Sequence, residues 1–302
     1  MCNGIKDKRI PLYLYDNTVV PTIGDGKLYH FTKASSLIKI LETMSLKVSR
    51  FDGLNDPTDG ILKWTEYEFE EIFNQIECED YIKNSCSLIC FSRNYKRSGI
   101  VQRGTYHHRM WAQYGENQHG ACIVIDKNRF LEENKTLFNM EGAFADIGNV
   151  TYSDYISEIK YDGSPHKDFI IKHRKEIFYK KNRDWQDETE ARFLGIGLKS
   201  DKLSIQNSIS YICLGSRFLD KHPDSVDYGK LLIDTLINYN NKCYKRLIPS
   251  SFAIMQCSMG QLYEKEGDND IEQLVGAEYN HHKEVDKYHS WYKNTDGYEC
   301  VF

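Results

Sequence analysis

No stretch of this sequence approaches the ~20 consecutive apolar residues that a membrane-spanning helix needs. Its longest apolar runs are about one strand long, and no apolar leader follows Met1. A soluble, cytoplasmic protein is the expectation. The nine cysteines (Cys2, Cys78, Cys86, Cys90, Cys122, Cys213, Cys243, Cys257 and Cys300) are odd in number and include no Cys-x-x-Cys pair. Most sit in apolar company, so they read as reduced, buried small hydrophobes rather than as a disulfide framework. Gly-x-Gly-x-x-Gly, Gly-x-x-x-x-Gly-Lys-Ser/Thr and Gly-x-Ser-x-Gly are also missing, which leaves a Rossmann site, a P-loop and a hydrolase elbow without support. Basic residues form no polybasic field: 39 Lys and Arg are scattered among 44 Asp and Glu, for a net charge of -5. Nonspecific nucleic-acid binding has no obvious electrostatic basis in such a distribution.

With 302 residues, the chain can bury a real core in one large or two small domains. Residues 1–26, with Pro11, Pro21, Gly24 and Gly26, read as an N-terminal arm, and 259–302 as a polar C-terminal extension without periodicity. Residues 27–258 then form a single domain. Its pattern runs from a strand at Leu28–Thr32 to a helix carrying Leu37, Ile38, Leu41 and Met44, and back to a strand at Leu46–Ser49. A helix over Thr65–Glu79 and a buried strand over Ser87–Ser92 follow, then a loop over Tyr95–Gly104 and a short helix at Met110–Tyr114. Strands are predicted at Gly120–Asp126, Val150–Tyr152, Glu158–Tyr161, Trp185–Leu198 and Ser208–Gly215, with helices at Lys167–Lys181 and about Ser225–Asn238. Two last strands are expected near Cys243–Leu247 and Phe252–Cys257. Without regular βαβ alternation this is an α+β fold, with mixed, mainly antiparallel sheets and flanking helices.

The most informative chemistry lies in two distant segments, Leu28-Tyr29-His30-Phe31-Thr32 and Trp185-Gln186-Asp187-Glu188-Thr189-Glu190-Ala191-Arg192-Phe193. On an extended strand Glu188, Glu190 and Arg192 share one face. Burying two like charges there costs several kcal/mol unless partners or a ligand compensate, as for any unpaired buried charge. The residues leave two readings open for each segment. His30 is either a satisfied core histidine between aromatic neighbours or a ligand contact. The carboxylates are either an ion-paired ladder neutralised by Arg192, with Arg183 or Lys180, or a working pair. Asn55-Asp56-Pro57 reads as a structural turn or as a ligand-contacting loop, and Trp111 and Tyr114 as core packing or as stacking faces. No metal site is expected: His107-His108 and His281-His282 are adjacent pairs that cannot share a helix face.

The motifs Leu28–Thr32, Leu54-Asn55-Asp56-Pro57, Cys90-Phe91-Ser92, Met110–Gly115, the cluster Lys180/Trp185/Glu188/Glu190/Arg192 and Ile212–Gly215 together resemble an uncharacterised bacterial family, domain of unknown function 2971, over roughly residues 27–257. More distantly, an aromatic-His-aromatic-Thr strand, a strand ending in Ser and a Glu-x-Glu strand resemble the layout of ADP-ribosyltransferase folds. That resemblance implies NAD as co-substrate and cleavage of its nicotinamide–ribose bond, by transfer to an acceptor or to water. It implies His30 at the adenosine-side ribose, Ser92 or Tyr114 at the nicotinamide end, Glu190 at the reacting ribose and Glu188 orienting the acceptor. Tyr29, Thr32, Asn55, Trp111 and Arg192 join the cofactor-binding set. The chain has no Ser-Thr-Ser after the middle strand, unlike the better-known pattern. By analogy alone, a defence or toxin role is expected.

The chemistry suits these residue types. A carboxylate near the 2′-hydroxyl stabilises an oxocarbenium-like state, and a neutral imidazole can hold a ribose hydroxyl. Two other classes stay open: a nucleotide-binding sensor without chemistry, and a metal-dependent nuclease built from Asp56, Glu188, Glu190 and Lys180. The acceptor, whether protein, nucleic acid or water, and the oligomeric state are left undefined.

Overall fold

Residues that are apolar on both faces make Lys27–Thr32 (β1) an interior strand: Leu28 packs to one side, and Tyr29 and Phe31 pack to the other. This computed structural model describes residues 26–50, 56, 63–64, 69–97, 100–155, 158–218, 220, 225–243 and 253–256. Around β1 a seven-stranded sheet is built from Cys86–Ser92 (β2), Ala121–Asp126 (β3), Phe144–Asn149 (β4), Glu190–Ile196 (β5), Ile209–Leu214 (β6) and Ala253–Gln256 (β7). The strand order is β7-β6-β3-β1-β2-β5-β4. Every neighbouring pair is antiparallel except β6 with β7, so the fold is α+β with a mainly antiparallel sheet.

One face of the sheet is mainly apolar, the exceptions including His30, which lies opposite Ile123 and so on the same side as Leu28. Leu28, Ile89, Phe91, Ile123, Ala191, Phe193 and Ile212 meet the helix Ala34–Thr43 (α1) there through Leu37, Ile38 and Leu41. At the start of α1, the Ala34 N–H donates to the Glu116 carboxylate at 3.1 Å, so a distant side chain caps a helix that has no local one. The opposite face holds two separate apolar clusters. Tyr29, Phe31, Trp111, Cys122, Val124 and Cys213 form one, and Leu88, Leu194 and Ile196 form the other with Phe169, Ile170 and Phe178. Between them the sheet is polar.

Several expectations need correction. The Trp185–Leu198 strand begins only at Glu190, because Arg183–Glu188 is a 3₁₀ helix started by Asn182, whose side chain accepts from the Asp184 N–H at 2.9 Å. Tyr95–Arg97 and Ile100–Gln102 form an antiparallel hairpin where a loop was expected. The helix over Lys167–Lys181 is two helices, His166–Lys172 and Arg174–Phe178, followed by a short strand at Lys180–Lys181. Strand β4 and the helix Lys127–Glu133 had no counterpart in the periodicity. Cys243 ends the helix Tyr228–Cys243 instead of opening a strand. Residues 1–25, Asn55 and 257–302 lie outside the described residues. No helix among the described residues is long and apolar enough to cross a membrane.

Candidate functional site

Register places the polar break. Glu190 lies opposite Ser92, and Arg192 opposite Cys90, so these four side chains share the face that is divided into two clusters. On the other side of β2, the ladder to β1 is a single pair, Tyr29↔Ser92, whereas β1 pairs with β3 along its whole length. The β1–β2 seam therefore opens after one pair, and a cavity of about 210 Å³ occupies it. His30 and Phe31 line one lip and Leu88 to Phe91 the other, with Tyr114, Lys181, Glu188 and Glu190 at the polar end.

Glu190 accepts from Arg192 Nε at 2.7 Å and from Arg192 Nη2 at 3.0 Å, a bidentate pair. Lys181 Nζ lies 3.0 Å from Glu190 and donates to Glu188 at 2.9 Å. Tyr114 donates its hydroxyl to the second oxygen of Glu188 at 2.5 Å. Two buried cations thus face two buried carboxylates, with Glu188 3%, Glu190 2% and Arg192 0% exposed. Burial alone would push the Glu190 carboxyl up, but Arg192 and then Lys181 outweigh it, and its pKa falls below the ordinary 4.5. Arg192 also donates Nη1 to the Phe178 carbonyl at 2.6 Å.

Local backbone explains how two carboxylates reach one lysine. Glu188 closes the 3₁₀ helix, Thr189 turns the chain in the left-handed region at φ 46°, and Glu190 opens β5. Lys181 arrives from the short strand Lys180–Lys181, which runs parallel to Thr151–Tyr152, and its ammonium also lies 5.1 Å from the centre of the Trp185 ring. The Glu190 N–H donates to the Tyr152 hydroxyl at 2.8 Å.

His30 Nδ1 lies 3.3 Å from the Cys90 carbonyl. A carbonyl only accepts, so Nδ1 carries the proton and Nε2 is the acceptor. Burial lowers the pKa of His30, which keeps the ring neutral near pH 7, and the carbonyl bond opposes that shift only in part. The Cys90 side chain is exposed, as a residue on the wall of an open cavity can be while protein encloses its other sides. Burial first, and the Glu190 charge second, hold its thiol protonated.

The other sequence-predicted residues divide between lining and support. Tyr29 lines the cavity and donates its hydroxyl to Asn94 at 2.6 Å. Ser92 is buried and donates to the Glu188 carbonyl at 2.8 Å, so it braces the turn. Trp111 is fully buried behind the wall, its ring edge on Phe31 and its N–H donated to the Thr105 carbonyl at 2.7 Å. Thr32 is buried at the end of β1. Sequence reasoning missed Lys181 and Cys90. Lys180 and Arg183 were the expected partners of the carboxylates, yet Arg183 pairs with Asp154 at 3.3 Å, and the neighbouring lysine, Lys181, makes the contact. Alternation along Lys180–Lys181 is the only local signal, and two residues are too few to set its phase. Among the described residues no group of three or more His, Cys, Asp or Glu could hold a metal ion.

Residues 110–193 match the family model for proteins of unknown function DUF2971. This is the family the sequence motifs resemble, and the matched stretch contains Trp111, Tyr114, Lys181, Glu188, Glu190 and Arg192 while leaving out His30 and Ser92. No curated protein matches the chain. Among solved structures it is similar to Thermus sp. 2.9 DarT in complex with NAD+, at 10% identity and TM-score 0.33, over 78% of this chain and 97% of that one. The same protein in complex with ADP-ribosylated ssDNA is similar at 10% identity and TM-score 0.30, over 78% and 97%.

Proposed function

We propose that the cavity takes the nicotinamide–ribose end of NAD and that the protein transfers ADP-ribose to an acceptor, or to water. The observation that carries this reading is Glu190: a buried carboxylate kept ionised on the wall of a cavity that a neutral histidine also lines. At about 210 Å³ the cavity is below the roughly 300–1,000 Å³ of drug-sized pockets, so it suits one ring and its sugar, with the rest of the dinucleotide outside.

In the proposed reaction the bond from ribose C1′ to the pyridinium nitrogen breaks, and its electron pair neutralises the leaving nicotinamide. Positive charge develops at C1′, and the ionised Glu190 stabilises it through the 2′-hydroxyl. A carboxylate has about four acceptor positions, of which Arg192 takes two and Lys181 one. Cys90, a weak donor, contributes the remaining side-chain hydrogen bond, which a sugar hydroxyl could replace. His30 accepts from a ribose hydroxyl through Nε2. The acceptor's nucleophile bonds to C1′, and its proton passes to solvent or to Glu188.

The test is nicotinamide release from NAD by the full chain, with Glu190→Gln and His30→Gln as variants and melting curves run beside them. Release by the wild type, lost in a folded His30→Gln or Glu190→Gln protein, is the expected result. Wild-type protein that neither releases nicotinamide nor gains thermal stability with NAD overturns the reading. A second reading, nucleotide binding without chemistry, is favoured by the match of two cations to two carboxylates, which leaves no excess charge among these four groups. It predicts thermal stabilisation by NAD with no product. A toxin or defence role is the extension of the first reading, and growth inhibition on expression that Glu190→Ala relieves would support it.

A further inference from the structure

A second cleft, of about 700 Å³, shares the 188–190 turn with the first. Glu188 and Glu190 line the first cavity, whereas Thr189 between them lines the second. Tyr152, whose hydroxyl accepts from the Glu190 N–H, lines the second as well. Its charge is one-sided: Arg93, Lys96 and Arg109 stand against one carboxylate, Asp187, and His107 and His108 also line it.

These cations are not all consumed internally. Arg109 is held, with Nη1 donating to the Asp184 carbonyl at 3.1 Å and lying 3.7 Å from Asp187, and its guanidinium 5.8 Å from the Trp185 ring centre. Arg93 differs. Its Nε is shut off from solvent and has no hydrogen-bond partner, and Nη1 makes only a long 3.5 Å contact to the Asn94 carbonyl. A buried guanidinium N–H without a protein acceptor is left for water, an ion or a ligand to satisfy. Planar and always charged, a guanidinium best matches the paired oxygens of a phosphate or phosphodiester. His107 is fixed at the wall by Thr189 Oγ1 at 3.0 Å and by the Tyr95 ring at 4.6 Å, so the cleft is built on the hairpin and on the turn that carries the carboxylates.

We propose that this second cleft binds a phosphate group, with Arg93 and Lys96 as its principal contacts. If the NAD reaction holds, on which this extension rests, the acceptor is a phosphate-bearing molecule held across the 188–190 turn from the reacting ribose.

The experiment uses the full chain without NAD and two probes: inorganic phosphate by calorimetry and a labelled ten-nucleotide oligothymidine by fluorescence anisotropy. At low salt, at least one probe should bind, and Arg93→Gln together with Lys96→Gln should weaken it about tenfold. For the oligonucleotide, the slope of log affinity against log salt should fall by about 1.4, at 0.7 per lost phosphate contact. Binding of phosphate with the oligonucleotide points to a small anion as a sufficient ligand, and oligonucleotide binding alone to a nucleic-acid backbone. Binding of neither probe, or unchanged affinity and slope in the double variant, overturns the proposal. Lys96 is exposed, so Lys96→Gln alone keeps the test valid if Arg93→Gln lowers the melting temperature. Anion binding retained in a protein that never releases nicotinamide would remove the NAD reading and leave this one.

Discussion

Lys181 is the residue on which the site's electrostatics turn, because it touches both carboxylates. Removing one partner from a buried ion cluster costs about 3–5 kcal/mol, since the remaining charges cannot regain water. Lys181→Met should therefore lower the melting temperature markedly, as differential scanning calorimetry would read. It should also move acid unfolding. The pKa of Glu190 is lower in the folded state than in the unfolded one, so its stabilisation is full above the ordinary 4.5 and is lost as pH falls through the folded value. With Lys181 gone the folded value rises, and the acid transition should shift to higher pH. His30 works in a separate window. Its folded pKa lies below the ordinary 6.5, so the unfolded chain binds more protons and stability drops as pH falls below 6.5. In His30→Gln this part of the slope should disappear from urea titrations.

At the scale of elements, two supports can be separated from the chemistry. Asp126 caps the helix Lys127–Glu133, accepting from the Arg129 N–H at 3.0 Å, and pairs with Lys27 at 3.1 Å. Asp126→Ala should cost about 1 kcal/mol, the usual worth of such a cap, and leave any thermal shift with NAD unchanged. Gly104 is closer to the site. A Cβ there would stand 2.3 Å from the Tyr29 ring, and the Gly104 N–H shares the Asn94 acceptor with the Tyr29 hydroxyl at 3.2 Å. Gly104→Ala should destabilise by about 1–3 kcal/mol, as overpacking does, and displace a residue of the cavity wall. Both effects are measurable as melting shifts with and without NAD.

For the whole molecule, the sheet joins segments whose roles could not be read separately. If NAD binds the folded protein alone, stability should rise by about 2.7 kcal/mol at a hundred times Kd, giving a melting temperature that climbs with NAD concentration. The apolar patterning of Leu28–Phe31, Leu88–Phe91 and Ile123–Ile125 was legible because a strand buried on both faces has little freedom in composition. The α+β class followed from the irregular order of such segments. Boundaries around Glu188 were not legible. A 3₁₀ turn with a left-handed Thr189 carries no hydrophobic period, and alternation through Trp185–Phe193 mimics a strand.

The sequence by itself determined which residue types were available to the site: a histidine inside an aromatic strand, and two carboxylates with an arginine at alternate positions within Trp185–Phe193. Those are local facts, set by residue identity and short-range periodicity. Only the tertiary structure decided who neutralises whom. Whether both carboxylates are neutralised depends on Lys181, carried there by a two-residue strand against Thr151–Tyr152, and access to them on a β1–β2 seam that opens after a single pair. Both are long-range pairings, and charge compensation in a buried site is a property of distances across the fold, which neighbours in sequence do not fix.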